Sequence, residues 1–253
     1  MLEAALRRDR VVVATGLTLL AALAWVGVVR MAAQMSPHAM AMPGMPSAGM
    51  GLGWLTLMWA VMMVAMMTPS AAPTILLFAG AMRRRRTQGV PAVSAAVFTL
   101  GYLLVWTAFS VVAAGAQWLL HRQALLSPAM ASASPWLGGG LLVAAGVYQW
   151  LPLKAACLRH CRSPLSVFSH GWREGPWGAL RMGMWHGALC VGCCWLLMAL
   201  LFVAGVMNLL WVAAIAGLVL VEKLFPGGAG AGRVAGVALA CWGIWVLVAG
   251  GAR

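Results

Sequence analysis

The sequence predicts a polytopic bundle of transmembrane α-helices, and three observations favour this all-α fold class. Of the 253 residues, 63% are hydrophobic and only 8% are charged, whereas soluble domains contain about 45–50% apolar and about 25% charged residues. The apolar residues form continuous runs, not the alternating pattern of a membrane β-barrel. Several of these runs end at basic residues, most clearly at the four arginines 83–86. We therefore expect a single transmembrane domain over 1–253, with about seven spans of about 20 residues each.

The boundaries of the spans follow from the apolar runs and the polar residues between them. The first run is longer than the apolar part of a cleaved signal peptide, about 7–15 residues, so we expect an uncleaved span. The predicted spans cover residues 11–30, 54–82, 90–120, 135–153, 182–204, 207–222 and 234–250. A loop rich in Met, Pro and Gly occupies 31–53, and a polar, basic segment occupies 154–181, whose start could form a short interfacial helix.

The 17 Lys and Arg residues indicate the orientation of the spans, because basic residues accumulate on the cytoplasmic side of a membrane. If the amino terminus is inside, most of them fall inside, including the four arginines at 83–86 and those of segment 154–181. The carboxyl terminus then lies outside. We expect a multi-pass protein of the bacterial inner membrane. Contact with anionic lipid headgroups accounts for the net charge of +13, so no nucleic-acid partner is expected.

The predicted outer loop is rich in thioether groups and contains one imidazole. Exposed methionines oxidise readily, and folding alone gives little reason for them in a loop. Thioethers bind Cu(I), and imidazole adds affinity for Cu(II) and Zn(II). The candidate ligands that would capture metal in this loop are His38, Met40, Met42 and Met45. The alternative is a flexible Met-rich linker that lies on the membrane.

The second span contains a dense group of methionines between residues 58 and 67. At about 100° per residue, Met62 and Met66 share a stripe with Met58, and Met63 and Met67 lie on a neighbouring face. Methionine is an ordinary gap-filler in packed helices, so the stripe could serve packing alone. Its density nevertheless makes these side chains candidate copper ligands.

The densest group of candidate ligands is MWHGALCVGCCWLLM at 184–198. On a helix, His186, Cys190 and Cys193 lie within about 60° of one another, and Cys194 lies at the edge of that face. Three thiols and an imidazole could supply most of a soft-metal site. A single helix cannot complete a tetrahedral site, so we expect further donors from the second span or the polar segment. Alternatively, the thiols pack as small apolar groups and His186 bonds to a backbone carbonyl.

Two further cysteines, Cys157 and Cys161, lie in the polar segment. If this segment is helical, their spacing of four residues places both thiols on one side, near the predicted inner boundary. This spacing alone is compatible with a redox-active pair or an inert one. Nearby basic residues favour the thiolate form, which is the form that binds metal. The predicted outer loop contains no cysteine, which argues against the disulfide framework of a secreted domain.

Other chemistries have less support in the sequence. It contains no Ser/His/Asp arrangement, no phosphate-binding glycine loop and no carboxylate pair, so a binding protein is expected more than an enzyme. No haem is expected, because His121 lies near the outer end of its span whereas His186 lies in the inner half. Glu222 stands beside a span, where Lys223 or Lys154 could simply neutralise it.

Several stretches resemble a family of predicted metal-binding integral membrane proteins, a bacterial domain of unknown function. They are WAVMMVAMMTPSAAP, YQWLPLKAACLRHCRSPL, HGALCVGCCWLLMALLFVAGVMNLLW and EKLFPGG, in that order from about residue 54 onward. The resemblance implies metal binding but no catalytic mechanism. The positions that it marks are Met62, Met63, Met66, Met67, Cys157, Cys161, His186, Cys190, Cys193 and Cys194.

The sequence therefore predicts a membrane protein that binds Cu(I), with zinc as the less expected metal, and that moves it across the membrane or into a partner. The expected partners are the lipid bilayer and either a periplasmic metal donor or a membrane metalloenzyme. Two alternatives remain. One is a membrane oxidoreductase with a copper or thiol redox centre, and the other is an assembly subunit for a membrane metalloenzyme.

Overall fold

A computed structural model describes residues 2–35, 51–89, 93–127, 131–132, 134–163 and 172–251. Of the predicted metal-capturing loop, His38, Met40, Met42 and Met45 lie outside the described residues. The described part of the chain is helical apart from short connections and an isolated bridge between Leu126 and Ser132, which confirms the predicted all-α class. The helices are α1 (Leu2–Gln34), α2 (Leu52–Thr87), α3 (Ala95–Arg122), α4 (Pro135–Tyr148), α5 (Pro152–Arg162), α6 (Gly175–Ala199), α7 (Leu201–Ala204), α8 (Leu209–Leu224) and α9 (Gly228–Gly251).

Five helical stretches among the described residues are long and apolar enough to cross a membrane, and a bent pair could form a sixth. The five are Arg10–Gln34, Leu52–Thr87, Ala95–Arg122, Gly175–Ala204 and Gly228–Gly250. The helix α8, predicted as a span, has only 16 residues, fewer than the roughly 20 that cross the hydrocarbon core. The lengths of the described helices thus do not confirm a count of seven.

The fourth predicted span, 135–153, differs from the structure. The helix α4 ends at Tyr148, and α5 begins at Pro152 after a bend of 64°. Proline disfavours helical geometry at the residue before it, and Leu151 indeed has an extended ψ of 141°. The helix α5 corresponds to the short helix expected at the start of the polar segment.

The end of the polar segment also differs from the prediction, because α6 begins at Gly175 and not near 182. Pro176 occupies the first turn of α6, where its missing N–H and fixed φ favour a helix start. Arg181 is exposed on the helix surface. Its charge therefore does not end the helix, which is why a boundary drawn at the last charged residue came too late.

Glycines bring pairs of helices into backbone contact. A Cβ atom on Gly183 of α6 would collide with the Phe98 carbonyl of α3, and one on Gly101 of α3 would collide with the Leu180 carbonyl of α6. In the same way, a Cβ on Gly146 of α4 would lie 2.6 Å from the carbonyl oxygen of Gly236 on α9. Small residues at such crossings allow apolar helices to pack closely. The α3–α6 crossing fixes the helix that carries the cysteines.

The helix α2 has the most extensively buried surface in the bundle and contacts α1, α3 and α8. Near its amino-terminal end, the indole N–H of Trp59 donates to Gln117 Oε1 at 2.6 Å, and its ring lies 5.3 Å from that of Phe202. Near its middle, the Met67 carbonyl accepts a hydrogen bond from Tyr102 on α3. These contacts fix the methionine-bearing part of α2 against α3.

Candidate metal centre

The helix α6 turns three thiols into the interior of the bundle. Cys190 and Cys193 are each 1% exposed and Cys194 is fully buried. Their spacing of three and four residues keeps them on one side of α6. The same spacing in the sequence predicted that these cysteines share one face of a buried helix. We refer to these three residues together with Cys161 of α5 as the thiol cluster.

Cys190 is the member of the thiol cluster with the most contacts from other helices. Its Sγ lies 3.1 Å from Tyr102 Oη on α3 and accepts a hydrogen bond of 2.7 Å from Lys223 Nζ on α8. Tyr102 Oη also lies 3.2 Å from the Met67 carbonyl oxygen of α2. Lys223 Nζ lies 3.3 Å from Ser70 Oγ on α2. Side chains of α3 and α8 therefore meet at this one sulfur atom, and α2 contacts both of them.

The other thiols of α6 bond within their own helix. Cys193 and Cys194 donate to the Cys190 carbonyl oxygen at 3.1 and 2.9 Å. A hydrogen bond to the preceding turn is the usual partner of a buried polar side chain in an apolar helix.

The helix α5 contributes thiols next to those of α6. Cys161 is buried, and its side chain interacts with that of Cys193. Cys157 is half-buried, and its Sγ lies so close to Gly192 that a Cβ there would be 3.0 Å away. The two cysteines of the polar segment thus lie beside the α6 cysteines, as the need for donors from a second element suggested.

The thiols are neighbours but do not converge on one point. In the described part of the chain, no three His, Cys, Asp or Glu side chains form a group ready to hold a metal ion. The hydrogen bonds of Cys193 and Cys194 to a carbonyl, and that of Lys223 to Cys190, account for this arrangement. Ligation would require these thiols to exchange their present partners for the ion.

His186 lies one turn before Cys190 and is 2% exposed. Its ring lies 6.2 Å from the ring of Phe98 and 5.6 Å from that of Tyr102. Its Nδ1 atom has no hydrogen-bond partner among the residues that the structure describes. An unsatisfied buried polar atom costs about 1–3 kcal/mol. The alternative expectation was a hydrogen bond from His186 to a backbone carbonyl, and Nδ1 forms no such bond with a described residue. This nitrogen remains available as a metal ligand.

The methionines of α2 line the interior between the amino-terminal end of α2 and the level of Cys190. All of those between 58 and 67 are buried, with exposures of 2% or less. Met67 lies level with Cys190, because Tyr102 contacts both. Met63 and Met66 are about one turn or less from Met67, and Met62 is just over one turn away. Burial is expected if these methionines only fill space between helices. It is equally expected if they bind a metal ion in the core.

Tyr102, Lys223 and Ser70 were not among the candidate site residues from the sequence. Tyr102 and Lys223 reach Cys190 from α3 and α8, which lie far from it in the chain. The available signal was the position of Lys223 at the end of an apolar run, since a charged residue there is costly and usually has a specific partner. Its sequence neighbour Glu222 pairs with Lys154, at 2.7 Å.

Comparison with known proteins gives one result that bears on this geometry. A family model described as a copper chaperone, PpoB2, matches residues 56–246, a range that begins within α2, ends within α9 and contains every residue of the thiol cluster. No curated protein and no solved structure matches the chain. The match is consistent with the metal-related family that the sequence motifs indicated, and it supports a copper-related role. Because the match covers well over half of the chain, the protein belongs to the PpoB2 family of copper chaperones.

Proposed function

We propose that the protein is a membrane-embedded copper chaperone that binds Cu(I) at the thiol cluster and transfers it to a partner protein. The burial of Cys190, Cys193 and Cys194 on one face of α6 is the observation that carries this proposal. Thiolate sulfur is a preferred ligand of Cu(I), and two or three of these thiols would be sufficient to bind it. His186 and Cys161 are the next donors available.

The proposed membrane location rests on the five to six apolar helices and on the distribution of basic residues. The arginines at 83–86 lie at the carboxyl-terminal end of α2, and the positive-inside rule supports an inward position for that end. The opposite end of α2 then faces outward and adjoins the Met/His-rich loop. We expect the loop residues His38, Met40, Met42 and Met45 to capture copper on that side.

The methionines of α2 would connect this loop to the thiol cluster. Met62 and Met66 precede Met67, which is level with Cys190. Thioethers bind Cu(I) less strongly than thiolates, so copper would pass from the methionines to the cysteines. Cys157, the half-buried thiol beside Gly192, is then suited to exchange copper with an acceptor. The direction of transfer is part of the proposal.

Metal analysis of the purified full-length protein tests this function. We expect anaerobic Cu(I) loading to give bound copper in the wild type and a loss of at least about tenfold in affinity in the triple variant Cys190→Ser, Cys193→Ser, Cys194→Ser. Cys241→Ser is the matched control, because Cys241 is an exposed cysteine on α9. Equal copper content in the triple variant and the wild type would overturn the proposal.

A further inference from the structure

Lys223 places an ammonium group against the thiol cluster. Its side chain is only 6% exposed, and its Nζ donates to Cys190 Sγ at 2.7 Å and lies 3.3 Å from Ser70 Oγ. Burial of a charged group is unfavourable unless a partner compensates for the lost hydration. In the described residues, Cys190 and Ser70 are the hydrogen-bonding partners of this ammonium.

The carboxylate next to Lys223 in the chain, that of Glu222, forms an ion pair with a different lysine. Glu222 is 1% exposed, and both of its oxygens accept hydrogen bonds from Lys154 Nζ, at 2.8 and 2.7 Å. Lys154 also donates to Gln149. The positive charge of Lys223 therefore acts mainly on the metal-binding groups. It interacts electrostatically with all four cysteines of the thiol cluster and with His186.

A fixed positive charge at this place discriminates between metal ions by their charge. The Coulomb energy of two charges is proportional to their product, so the ammonium repels a divalent cation twice as strongly as a monovalent one. The separation is short, since the ion would bind the same sulfur that Lys223 contacts. The thiolates attract every cation as well, so the lysine contribution is measured as the ratio of the two affinities and not from either affinity alone.

We propose that Lys223 is a specificity-determining residue that makes the centre select a soft monovalent cation, Cu(I) or Ag(I), over thiophilic divalent cations such as Zn(II). This inference rests on the proposed function, because it concerns the selectivity of the same thiol cluster. It gives the buried lysine a role that packing alone does not require. It also gives a physical reason for zinc being the less expected metal at a site of cysteine and histidine.

The test compares Cu(I) and Zn(II) affinities of the full-length protein in detergent, with a chromogenic chelator of each ion as the competitor. We expect Lys223→Met to shift the ratio of the two affinities toward Zn(II) by about tenfold or more. Lys223→Arg, which keeps the charge, is the matched control and should stay close to the wild-type ratio. If Lys223→Met does not fold, Lys223→Gln removes the same charge and retains a polar group opposite Ser70.

The ratio separates selectivity from a merely structural role. A lysine that only supports the fold would change both affinities by the same factor when replaced, and the ratio would not move. An unchanged ratio in the neutral variant, with Cu(I) still bound by the wild type, would overturn this inference alone. Failure of the wild type to bind Cu(I) would overturn the proposed function as well.

Discussion

The helices α6 and α9 have similar compositions but very different surroundings. Both are apolar, both contain tryptophan and cysteine, and both are long enough to cross a membrane. Cys190 on α6 is buried against a tyrosine and a lysine, whereas Cys241 on α9 is exposed. The residue type alone therefore does not make a candidate ligand. Its position relative to polar groups from other helices does.

The difference has a physical origin in how each helix is packed. The helix α6 lies between α3 and α5 and contacts further helices of the bundle, whereas α9 packs mainly against α4. The exposed face of α9 carries large apolar side chains, among them Trp245 and Val248. Such a face suits lipid, where a thiol has no polar partner. The interior around α6 instead contains buried charged side chains, Lys154 of α5 and Glu222 and Lys223 of α8.

The largest expected effect concerns the ion pair in this interior. Glu222→Gln leaves Lys154 buried without its carboxylate, and breaking a buried pair typically costs about 3–5 kcal/mol. Glu174→Gln is the matched control, because Glu174 pairs with Arg85 at the surface, where its side chain is 74% exposed. An exposed pair contributes about 0–1 kcal/mol. Thermal unfolding of both variants in detergent should show a much larger loss for Glu222→Gln, and equal losses would contradict the assigned pairing.

A second prediction compares glycines on the two helices. Gly183→Val on α6 introduces a side chain against the Phe98 backbone and should destabilise the protein by about 1–3 kcal/mol or more, since overpacking displaces the backbone. Gly230→Val on α9 is the control, because nothing lies within 4 Å of the added Cβ. The melting temperature measures both. A loss of stability for Gly230→Val as large as that for Gly183→Val would contradict the close backbone contact assigned to Gly183.

The smallest expected effect on stability belongs to the methionines of α2. Met62→Leu and Met66→Leu keep the volume of the side chain and should cost less than about 1.5 kcal/mol each. Leucine cannot donate to copper, so the double variant should load Cu(I) at the thiol cluster more slowly while its melting temperature changes little. The rate of loading from a Cu(I)–chelator complex measures this effect. An unchanged rate would leave these side chains with a packing role only.

The sequence was sufficient to predict the helical class and part of the candidate site. Composition determines the class, because so apolar a chain has few alternatives to helices. Helical periodicity predicts that Cys190, Cys193 and Cys194 share a face, since this depends only on local geometry. The boundary at Tyr148 was missed because an apolar run does not reveal where a proline will bend it. Local patterns describe one helix at a time.

The contacts between helices could not be read from the sequence for the same reason. Lys223 lies beside Glu222 in the chain, and the sequence left open whether Lys223 or Lys154 neutralises this carboxylate. On a helix, however, adjacent residues point about 100° apart, and Glu222 faces Lys154 on α5 while Lys223 faces Cys190 on α6. Tyr102 likewise reaches Cys190 only because glycines let α3 approach α6.

The contact of α3 with α6 through Gly101 and Gly183 has a consequence for how the centre could change its ligand. Where main chains touch, neither helix can slide or rotate without a steric collision. The separation of the two backbones that carry Tyr102 and Cys190 is thus fixed at this crossing. Adaptation to another ion is therefore expected to occur by replacement of side chains such as Lys223, within an unchanged arrangement of the two helices.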